Sequence, residues 1–323
     1  MLHAAEMSSP PSDRHWGWEL RCPACQSQLE SESDTLRCTN VMCNREFPIV
    51  RGIPILIDES KSVFRIQEII DGGSFFAKRP PLVKQLEQLF PKSVLHPKSA
   101  VNCEWLRELL CVREAPRVLI VGAGKRGEGT ERLMQTESIE FIETDVGLNG
   151  ATALVCDGHD LPFPDKYFDA VIMQAVLEHV VDPFRCVAEA HRVLKTDGFV
   201  YAETPFMQQV HGGRYDFLRF THLGHRRLFR AFSEIDSGAV CGPGTALAWA
   251  YEYFLRSFCT HRMTKMLVKA FARLSSFWLK YLDYIVISGP GALDAASAYY
   301  FLGQKSTEVL SDRELLAMYR GLC

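Results

Sequence analysis

Four cysteines near the N-terminus combine the residue type and the spacing of a metal site. Cys22 and Cys25 form the sequence CPAC, and Cys38 and Cys43 follow after a gap of 12 residues. Four thiolates in two such pairs can surround zinc tetrahedrally, and a closed site of this kind is structural because no coordination position stays open for a substrate. We predict one structural zinc ion here. The alternative is a degenerate site whose strands persist without metal.

A glycine-rich turn predicts a second site, for a nucleotide-like ligand. The apolar run Arg117–Val121 leads into GAGKRGEG, in which Gly122, Gly124 and Gly127 fit the pattern G-x-G-x-x-G. These glycines permit a tight turn and a close approach of the ligand to the backbone. Asp145 ends the next apolar run about 20 residues on, where a carboxylate can accept hydrogen bonds from ribose hydroxyls. By itself this pattern fits a nicotinamide dinucleotide as well as S-adenosylmethionine.

The pattern of apolar residues along the chain predicts the strands and helices that must position these residues. From residue 116 onward, short apolar runs alternate with helical patterns, which predicts an α/β fold with a doubly wound, mostly parallel, Rossmann-like sheet. The predicted strands are Arg117–Val121, Glu140–Asp145, Ala153–Cys156, Ala170–Gln174, Phe199–Thr204, Glu234–Val240 and Tyr299–Gln304. We divide the chain into a small cysteine-containing domain (18–58), a helical linker (59–115), the α/β domain (116–305, with a helical insertion at 245–288) and a C-terminal helix (306–323). In the linker, the helical spacing rests on Leu82, Leu86, Leu89 and Phe90, and again on Trp105, Leu106, Leu109 and Leu110.

Two longer blocks separate the ligand alternatives. The runs DLPFPDKYFDAVIMQAVLEHV (Asp160–Val180) and RVLKTDGFVYAETPF (Arg192–Phe206) resemble class I S-adenosylmethionine-dependent methyltransferases of the methyltransferase type 11 group, a match that covers roughly Val118–Thr221. Two positions depart from the family pattern. Ile120 stands where an acidic residue is usual, and Arg126 replaces a glycine.

The resemblance implies a set of cofactor-binding residues around the glycine turn. Gly122, Ala123 and Gly124 would lie beside the methionine end of S-adenosylmethionine, with Gly127 in the same turn, and Asp145 would hold the ribose. Four further residues complete the set: Asp157 with Gly158 at the adenine edge, Leu161 on the adenine face, and Gln174 below the transferred methyl.

The cysteine segment carries a resemblance of its own. Leu20–Asp58 is similar to the zinc-ribbon domain of the tRNA-methyltransferase-activator family, which ends in a run like FPIVRGIPIL at Phe47–Leu56. The second cysteine pair has four intervening residues instead of the commoner two. The resemblance therefore implies a zinc ribbon with a wider second knuckle.

The acceptor side is predicted from polar residues after the fourth and fifth α/β strands, with His179 after the fourth and the others after the fifth. Loops at the carboxyl ends of such strands form the ligand crevice. For a hydroxyl acceptor, His179 or His211 could take the proton as a general base, while Tyr215 and Arg219 could bind the substrate and Arg219 anchor an anionic group. The alternative is that each histidine is an ordinary hydrogen-bonded loop residue. The expected acceptor is a small molecule or a saccharide, including a lipid-linked one, and O-, N- and C-methylation all stay open.

Two other functions compete with methyl transfer. A non-catalytic methyltransferase-like scaffold that binds a partner protein is favoured by Ile120 and opposed by Asp145 and Asp157. A nicotinamide-dependent oxidoreductase is disfavoured because the LPF and RVLK blocks have no role in it.

Composition and the C-terminal region bear on location. The net charge of −3 shows no basic excess, so no specific nucleic-acid partner is predicted. We expect a cytoplasmic protein, since no stretch resembles a secretory signal or a spanning helix. Thr245–Ser288 predicts basic amphipathic helices. Their apolar faces either pack on the sheet and cap the cleft, or stay exposed and rest peripherally on the inner face of a membrane.

Overall fold

A computed structural model describes residues 16–72, 91, 94–124 and 126–322. The helical repeat predicted at Leu82–Phe90 lies outside these residues. The described residues form eleven strands: β1 Leu29–Glu32, β2 Thr35–Cys38, β3 Glu46–Val50, β4 Ile53–Leu56, β5 Arg117–Val121, β6 Glu140–Asp145, β7 Leu154–Cys156, β8 Phe168–Gln174, β9 Leu194–Pro205, β10 Phe232–Cys241 and β11 Ala298–Lys305. Their helices are α1 Ile66–Ile70, α2 Ser99–Cys111, α3 Glu131–Met134, α4 Pro183–Val193, α5 His222–Leu228, α6 Pro243–Ser257, α7 Arg262–Val286, α8 Pro290–Ala295 and α9 Asp312–Ala317.

All these strands belong to one sheet, in the order β1-β2-β3-β4-β7-β6-β5-β8-β9-β11-β10. The run from β4 to β9 is parallel, whereas both flanks are antiparallel, so among the described strands half of the neighbouring pairs are parallel. The sheet is therefore mixed, and the prediction of a mostly parallel one holds only for its centre. The chain builds outward from β5 in one direction and from β8 in the other, and this reversal opens a crevice at their carboxyl ends.

The cysteine segment is joined to the α/β sheet and does not stand apart from it. Ile55 and Leu56 of β4 pair in parallel with Val155 and Cys156 of β7, and both β4 side chains are fully buried. The hydrophobic core on this side contains residues from both regions, including Cys22, Leu36, Phe47, Leu161 and Phe163. The pairing spans about a hundred residues of sequence, and the predicted division at residue 58 gave no sign of it.

Helices cover the sheet on its two faces, as the alternating pattern predicts. In α4, Cys186, Val187, Ala190 and Val193 recur at helical spacing and are buried. Its first turn is fixed by Asp182, whose side chain accepts a hydrogen bond from the backbone N–H of Arg185. On the other face, α2 buries Leu106 and Leu110 in a second core cluster that includes Tyr201.

The helical segment predicted at 245–288 consists of α6 and α7, with an unexpected orientation. Asp283 of α7 is fully buried and accepts hydrogen bonds from the N–H groups of Gly244 and Thr245, which lie in the first turn of α6. The small and polar face of α7 therefore packs against α6, while its apolar face points to solvent. The interpretation that the apolar faces pack on the sheet is wrong for α7, since its large side chains are exposed: Met263, Leu267, Phe271, Leu274, Trp278, Tyr281 and Ile285.

The remaining expectations concern the end of the chain and membrane crossing. Within the predicted C-terminal helix (306–323), the described residues 306–322 are helical only in α9, whose capping box joins Ser311 to Glu314. Among the described helices, none pairs sufficient length with the apolar character that crossing a membrane requires.

Candidate functional site

The glycine turn and Asp145 meet at the carboxyl ends of β5 and β6. Gly122 has φ +80°, a conformation that L side chains rarely adopt, and a Cβ there would lie 2.4 Å from Val176. The Gly124 N–H donates to Asp145 Oδ2 at 2.7 Å, and the Gly147 N–H donates to Oδ1 at 2.9 Å. Burial raises the pKa of Asp145 above its ordinary value even though these N–H groups oppose the shift. The turn thus brings a carboxylate together with backbone N–H groups.

The crevice at the carboxyl ends of β5 and β8 lies directly beside this turn. Gln174 ends β8, and its amide donates to the backbone oxygen of Glu128 at 3.2 Å. Gly127 packs so close that a Cβ there would lie 1.9 Å from Gln174 Oε1. Gln174 therefore lies beside the glycine turn, and Ala123 also lines the crevice. The predicted position of Gln174 below the transferred methyl stays a prediction.

Glu143 is a crevice residue that the sequence analysis missed. It pairs in register with Ile120 across β5 and β6, and both line the crevice. Its Oε1 is buried and accepts no hydrogen bond from any residue that the structure describes, and Arg126 Nε lies 3.7 Å away. Glu143 stands two residues before Asp145 on one strand, so the period of two could have placed both on one face. A carboxylate is therefore present beside Ile120, the position where the family pattern has its own acid.

Asp157 lies in a buried network at the end of β7. Its carboxylate accepts from Ser62 Oγ and pairs with His159 Nδ1, whose ring Nε2 in turn accepts from the Asp182 N–H at 3.0 Å. Although burial works the other way, these donors hold the pKa of Asp157 below its ordinary value. Gly158 follows it in the same buried turn. The contact of this carboxylate with an adenine edge stays a prediction. Ser62, which follows β4 in the chain, links this carboxylate to the segment after the cysteine-containing domain.

Leu161 is buried in the hydrophobic core, with 1% of its surface exposed. Its N–H donates to Glu189 Oε2 at 2.8 Å, which fixes the loop before α4. In this conformation the side chain faces the core and not the crevice, so its predicted packing on an adenine ring has no support from the geometry.

The loop after β9 is organised by Asp216. This carboxylate accepts from the N–H groups of His211 and Gly212 and from the guanidinium of Arg219. Arg219 also donates to the backbone oxygens of Gln208 and Leu218. Arg219 therefore stabilises the loop, and its predicted contact with an anionic acceptor stays a prediction.

His179 and His211 are brought together with a residue that was not predicted, Glu178. The two imidazole rings are 5.1 Å apart edge to face, and the Nε2 atom of each lies 3.7 Å from Glu178 Oε1. His179 Nδ1 contacts the backbone oxygen of Tyr215 at 2.7 Å. Burial opposes protonation, yet Glu178 and Asp216 raise the pKa of His211 above its ordinary value.

Aromatic rings surround the cluster of Glu178, His179 and His211. Trp249 of α6 meets His211 edge to face at 6.2 Å and stacks on Tyr253, whose hydroxyl donates to the backbone oxygen of Val210. Tyr215, predicted as a substrate residue, stacks on Phe64 at 5.8 Å. Helix α6 thus contacts the loop after β9, which carries His211.

The four cysteines converge as their spacing predicts. Cys22 Sγ lies 3.8 Å from Cys43 Sγ, and Cys25 Sγ lies 3.5 Å from Cys38 Sγ. All four sulfurs lie within 4.8 Å of one another. Sulfurs bound tetrahedrally to zinc at ~2.3 Å stand about 3.8 Å apart, so this cluster has the dimensions of a zinc site.

Local turns explain how the unequal cysteine pairs form similar knuckles. In the second pair, the backbone oxygen of Asn40 accepts from the N–H groups of both Cys43 and Asn44, which folds the wider spacing into a compact turn. Gln26 and Asn44 follow the last cysteine of each pair and both have positive φ.

Comparisons with known proteins agree with the central part of the chain. The methyltransferase domain family matches residues 128–202. The 2-methyl-6-phytyl-1,4-hydroquinone methyltransferase 1 of Oryza sativa subsp. japonica is 38% identical over 60 residues, 19% of this chain and 18% of that protein. The ubiquinone/menaquinone biosynthesis C-methyltransferase UbiE of Bordetella avium is 47% identical over 55 residues, 17% of this chain and 21% of that protein. The chain therefore spans about a fifth of the length of these curated relatives.

Solved structures overlap more of the chain at lower identity. Phosphoethanolamine N-methyltransferase 2 of Haemonchus contortus, in complex with S-adenosyl-L-methionine, is 14% identical, with a TM-score of 0.45 over 86% of this chain and 71% of that one. A chain of a complex containing the Trm112 methyltransferase activator of Haloferax volcanii is 17% identical, with a TM-score of 0.43 over 69% of this chain and 93% of that one. The family match agrees with the prediction of a methyltransferase domain, and it covers residues 128–202 of this chain.

Proposed function

We propose that this protein transfers a methyl group from S-adenosylmethionine to an acceptor that enters beside His179 and His211. The observation that carries the proposal is the contact of Gly124 with Asp145 at the strand reversal between β5 and β8. A crevice at such a reversal is where open α/β sheets bind their ligands.

The residues present suit this cofactor. S-adenosylmethionine has no phosphates but carries an ammonium, a sulfonium and a ribose diol, so carboxylates and backbone groups are suitable partners. Asp145 would accept from the ribose, and Glu143 with the Gly122–Gly124 backbone would meet the methionine end. When bound, the cofactor supplies an electrophilic methyl group, and the task of the chain is to align it with the acceptor.

Calorimetry with S-adenosylmethionine and with a nicotinamide dinucleotide tests the proposal. We expect heat only from S-adenosylmethionine, and a loss of affinity of roughly tenfold or more in Asp145→Ala, because hydrogen bonds to the ribose are removed. Asp197→Ala is the matched control, since its carboxylate is mostly exposed and pairs with Arg113. No heat from either ligand would favour the scaffold function, and heat from the dinucleotide alone would favour an oxidoreductase.

The cysteine cluster supports structural zinc as a second component of the proposal. Four sulfurs at tetrahedral separations leave no position for a substrate, so the ion would hold the two knuckles together. Its role would be to fix the hairpins that carry β4 into the main sheet.

The exposed stripe of α7 supports peripheral contact with an anionic lipid surface. Arg262 and Lys265 are exposed beside Met263 and Leu267, and Trp278 and Tyr281 follow on the same helix. Cations next to an apolar face with aromatic rings are typical of helices that lie in a membrane interface. Such contact would suit a lipid-linked acceptor, because α6 joins this helix to the loop with His211.

Vesicle flotation tests this contact. The protein is expected to float with vesicles containing phosphatidylglycerol at low salt, and less so at high salt or with neutral vesicles. Leu267→Glu with Leu274→Glu should abolish flotation, whereas Leu316→Glu, an exposed apolar residue of α9, should not. If the protein does not float but forms a dimer, and the double variant is a monomer, the exposed stripe would be assigned to self-association instead.

A further inference from the structure

Glu178 is an unusual residue for the loop after β8. Its side chain is 1% exposed, and neither carboxylate oxygen accepts a hydrogen bond from any residue that the structure describes. A buried carboxylate without a donor costs several kcal/mol, so native proteins retain one where a cation or a ligand completes it. Its backbone oxygen is used, since the Phe217 N–H donates to it at 2.8 Å.

The groups around this carboxylate are metal ligands at suitable distances. His179 Nε2 and His211 Nε2 each lie 3.7 Å from Glu178 Oε1, and the three ligand atoms lie within 4.8 Å of one another. Ligand atoms ~2.1 Å from a common ion stand about 3.0–3.5 Å apart, so each histidine nitrogen needs to approach Glu178 by a few tenths of an ångström. The two histidine nitrogens need to approach each other by at most about 1.3 Å to come within that range.

The outer contacts of the histidines favour the same arrangement. His179 Nδ1 meets the backbone oxygen of Tyr215 at 2.7 Å, and His211 Nδ1 meets that of Gln209 at 3.2 Å. Metal-binding histidines usually donate their second ring N–H to a carbonyl or carboxylate, which fixes the tautomer and aims the other nitrogen at the ion. Both rings therefore direct Nε2 towards Glu178.

We propose that Glu178, His179 and His211 bind one divalent first-row metal ion at the acceptor side of the crevice. Two imidazoles and one carboxylate suit Mn²⁺, Fe²⁺ or Zn²⁺ and occupy one face of the ion, so positions remain open for other ligands. His211 is partly exposed and Trp249 forms one wall, so those positions face the side from which an acceptor would enter.

The substrate class that follows rests on the proposed methyl transfer. An open divalent ion binds oxygen, so the acceptor is a hydroxyl compound with a second oxygen in chelating reach. On the ion the hydroxyl loses its proton to solvent, and the oxygen then attacks the methyl carbon as the carbon–sulfur bond breaks and S-adenosylhomocysteine leaves. The ion thereby takes over the role of a general base.

Manganese titration followed by electron paramagnetic resonance tests the site on the full chain, after a single equivalent of zinc per chain has been supplied to fill the cysteine cluster and unbound zinc has been removed. One Mn²⁺ per chain is expected. Glu178→Gln and His211→Ala should each weaken binding at least tenfold. Glu203→Gln is the matched control, because Glu203 is equally buried but accepts a hydrogen bond from Ser99 at 2.7 Å.

Each outcome is decisive. Absence of bound Mn²⁺, or binding that survives both substitutions, would overturn the site and leave Glu178 as the ionic partner of a protonated His211. Because the readout requires no methyl transfer, Mn²⁺ binding without S-adenosylmethionine heat would refute the proposed function and keep the metal site. Heat from S-adenosylmethionine without Mn²⁺ binding would refute the metal site and keep the proposed function.

Discussion

The two clusters of metal-ligand type in this molecule are built on opposite plans. The cysteine cluster has four identical ligands on two tight turns and closes on itself. The Glu178 cluster has three ligands of two kinds on two loops, beside an aromatic wall and partly open to solvent. A closed set of ligands stabilises a fold, whereas an incomplete set in a crevice is available for chemistry.

The largest expected effect is the loss of the closed cluster. Cys22→Ser with Cys25→Ser should lower the zinc content from one ion per chain to none, because two of the four ligands are gone. Since β4 shares its core with the main sheet, the free energy of unfolding should fall by several kcal/mol. Metal analysis and thermal unfolding measure both quantities. A folded, equally stable chain without zinc would break the comparison.

A smaller effect is the loss of stability at acidic pH, which we assign to two buried histidines outside both clusters. Burial lowers the pKa of His225 to about 3, and that of nearby His222 to about 4. Below pH 6.5 the unfolded chain binds protons that the folded chain does not, so stability is fully present above that pH and falls as the pH drops towards these values. At pH 5, His225 alone should cost about 2 kcal/mol relative to pH 8. Denaturant unfolding of His225→Phe should show a correspondingly weaker pH dependence, and an unchanged slope would contradict this assignment.

Substitution in the Glu178 cluster should raise the stability of the metal-free protein, whereas substitution of the cysteines should lower stability. Glu178→Gln removes a buried charge that lacks a hydrogen-bond donor among the described residues, so in metal-free protein stability should rise by about 1 kcal/mol, or roughly 2 °C in Tm. Glu203→Gln should lower Tm, since Glu203 accepts from Ser99 and Tyr201. Calorimetric melting of both variants measures the contrast. A fall in Tm for Glu178→Gln would show that this carboxylate stabilises the fold.

The smallest effect concerns the surface of the cysteine segment. Arg37 pairs with Glu46 across β2 and β3, and both side chains are about half exposed. Exposed ion pairs contribute little, so Arg37→Ala should leave Tm and zinc content unchanged. A clear loss would mean that ion pairs share the stabilising role that we assign to the metal.

Local patterns account for what the sequence predicted correctly. Gly122 and Gly124 follow β5 and Asp145 ends β6, and the ends of these adjacent strands must meet in a parallel sheet. The knuckle spacing brings the cysteines together. What was missed depends on distant packing. Glu178 adjoins the predicted His179, but its burial depends on a loop about 35 residues later, and the β4–β7 pairing has no local signature.

Two features depend on neighbouring residues that the residue type alone does not reveal. Arg219 has the chemistry to bind an anion, yet Asp216 and three backbone oxygens occupy its guanidinium. The periodicity of α7 was recognised, but periodicity does not say which face turns inward. Asp283 decides that by binding the first turn of α6.

The pairing of β4 with β7 also governs what the sheet offers to other chains. Without β4, the short apolar strand β7 would end the sheet with unpaired backbone groups, a template for aggregation. With it, the border on that side passes to β1, which is four residues long and carries the exposed charges of Glu30 and Glu32. Short, charged edge strands discourage edge-to-edge association, so the cysteine segment also protects the sheet from aggregation through its edge.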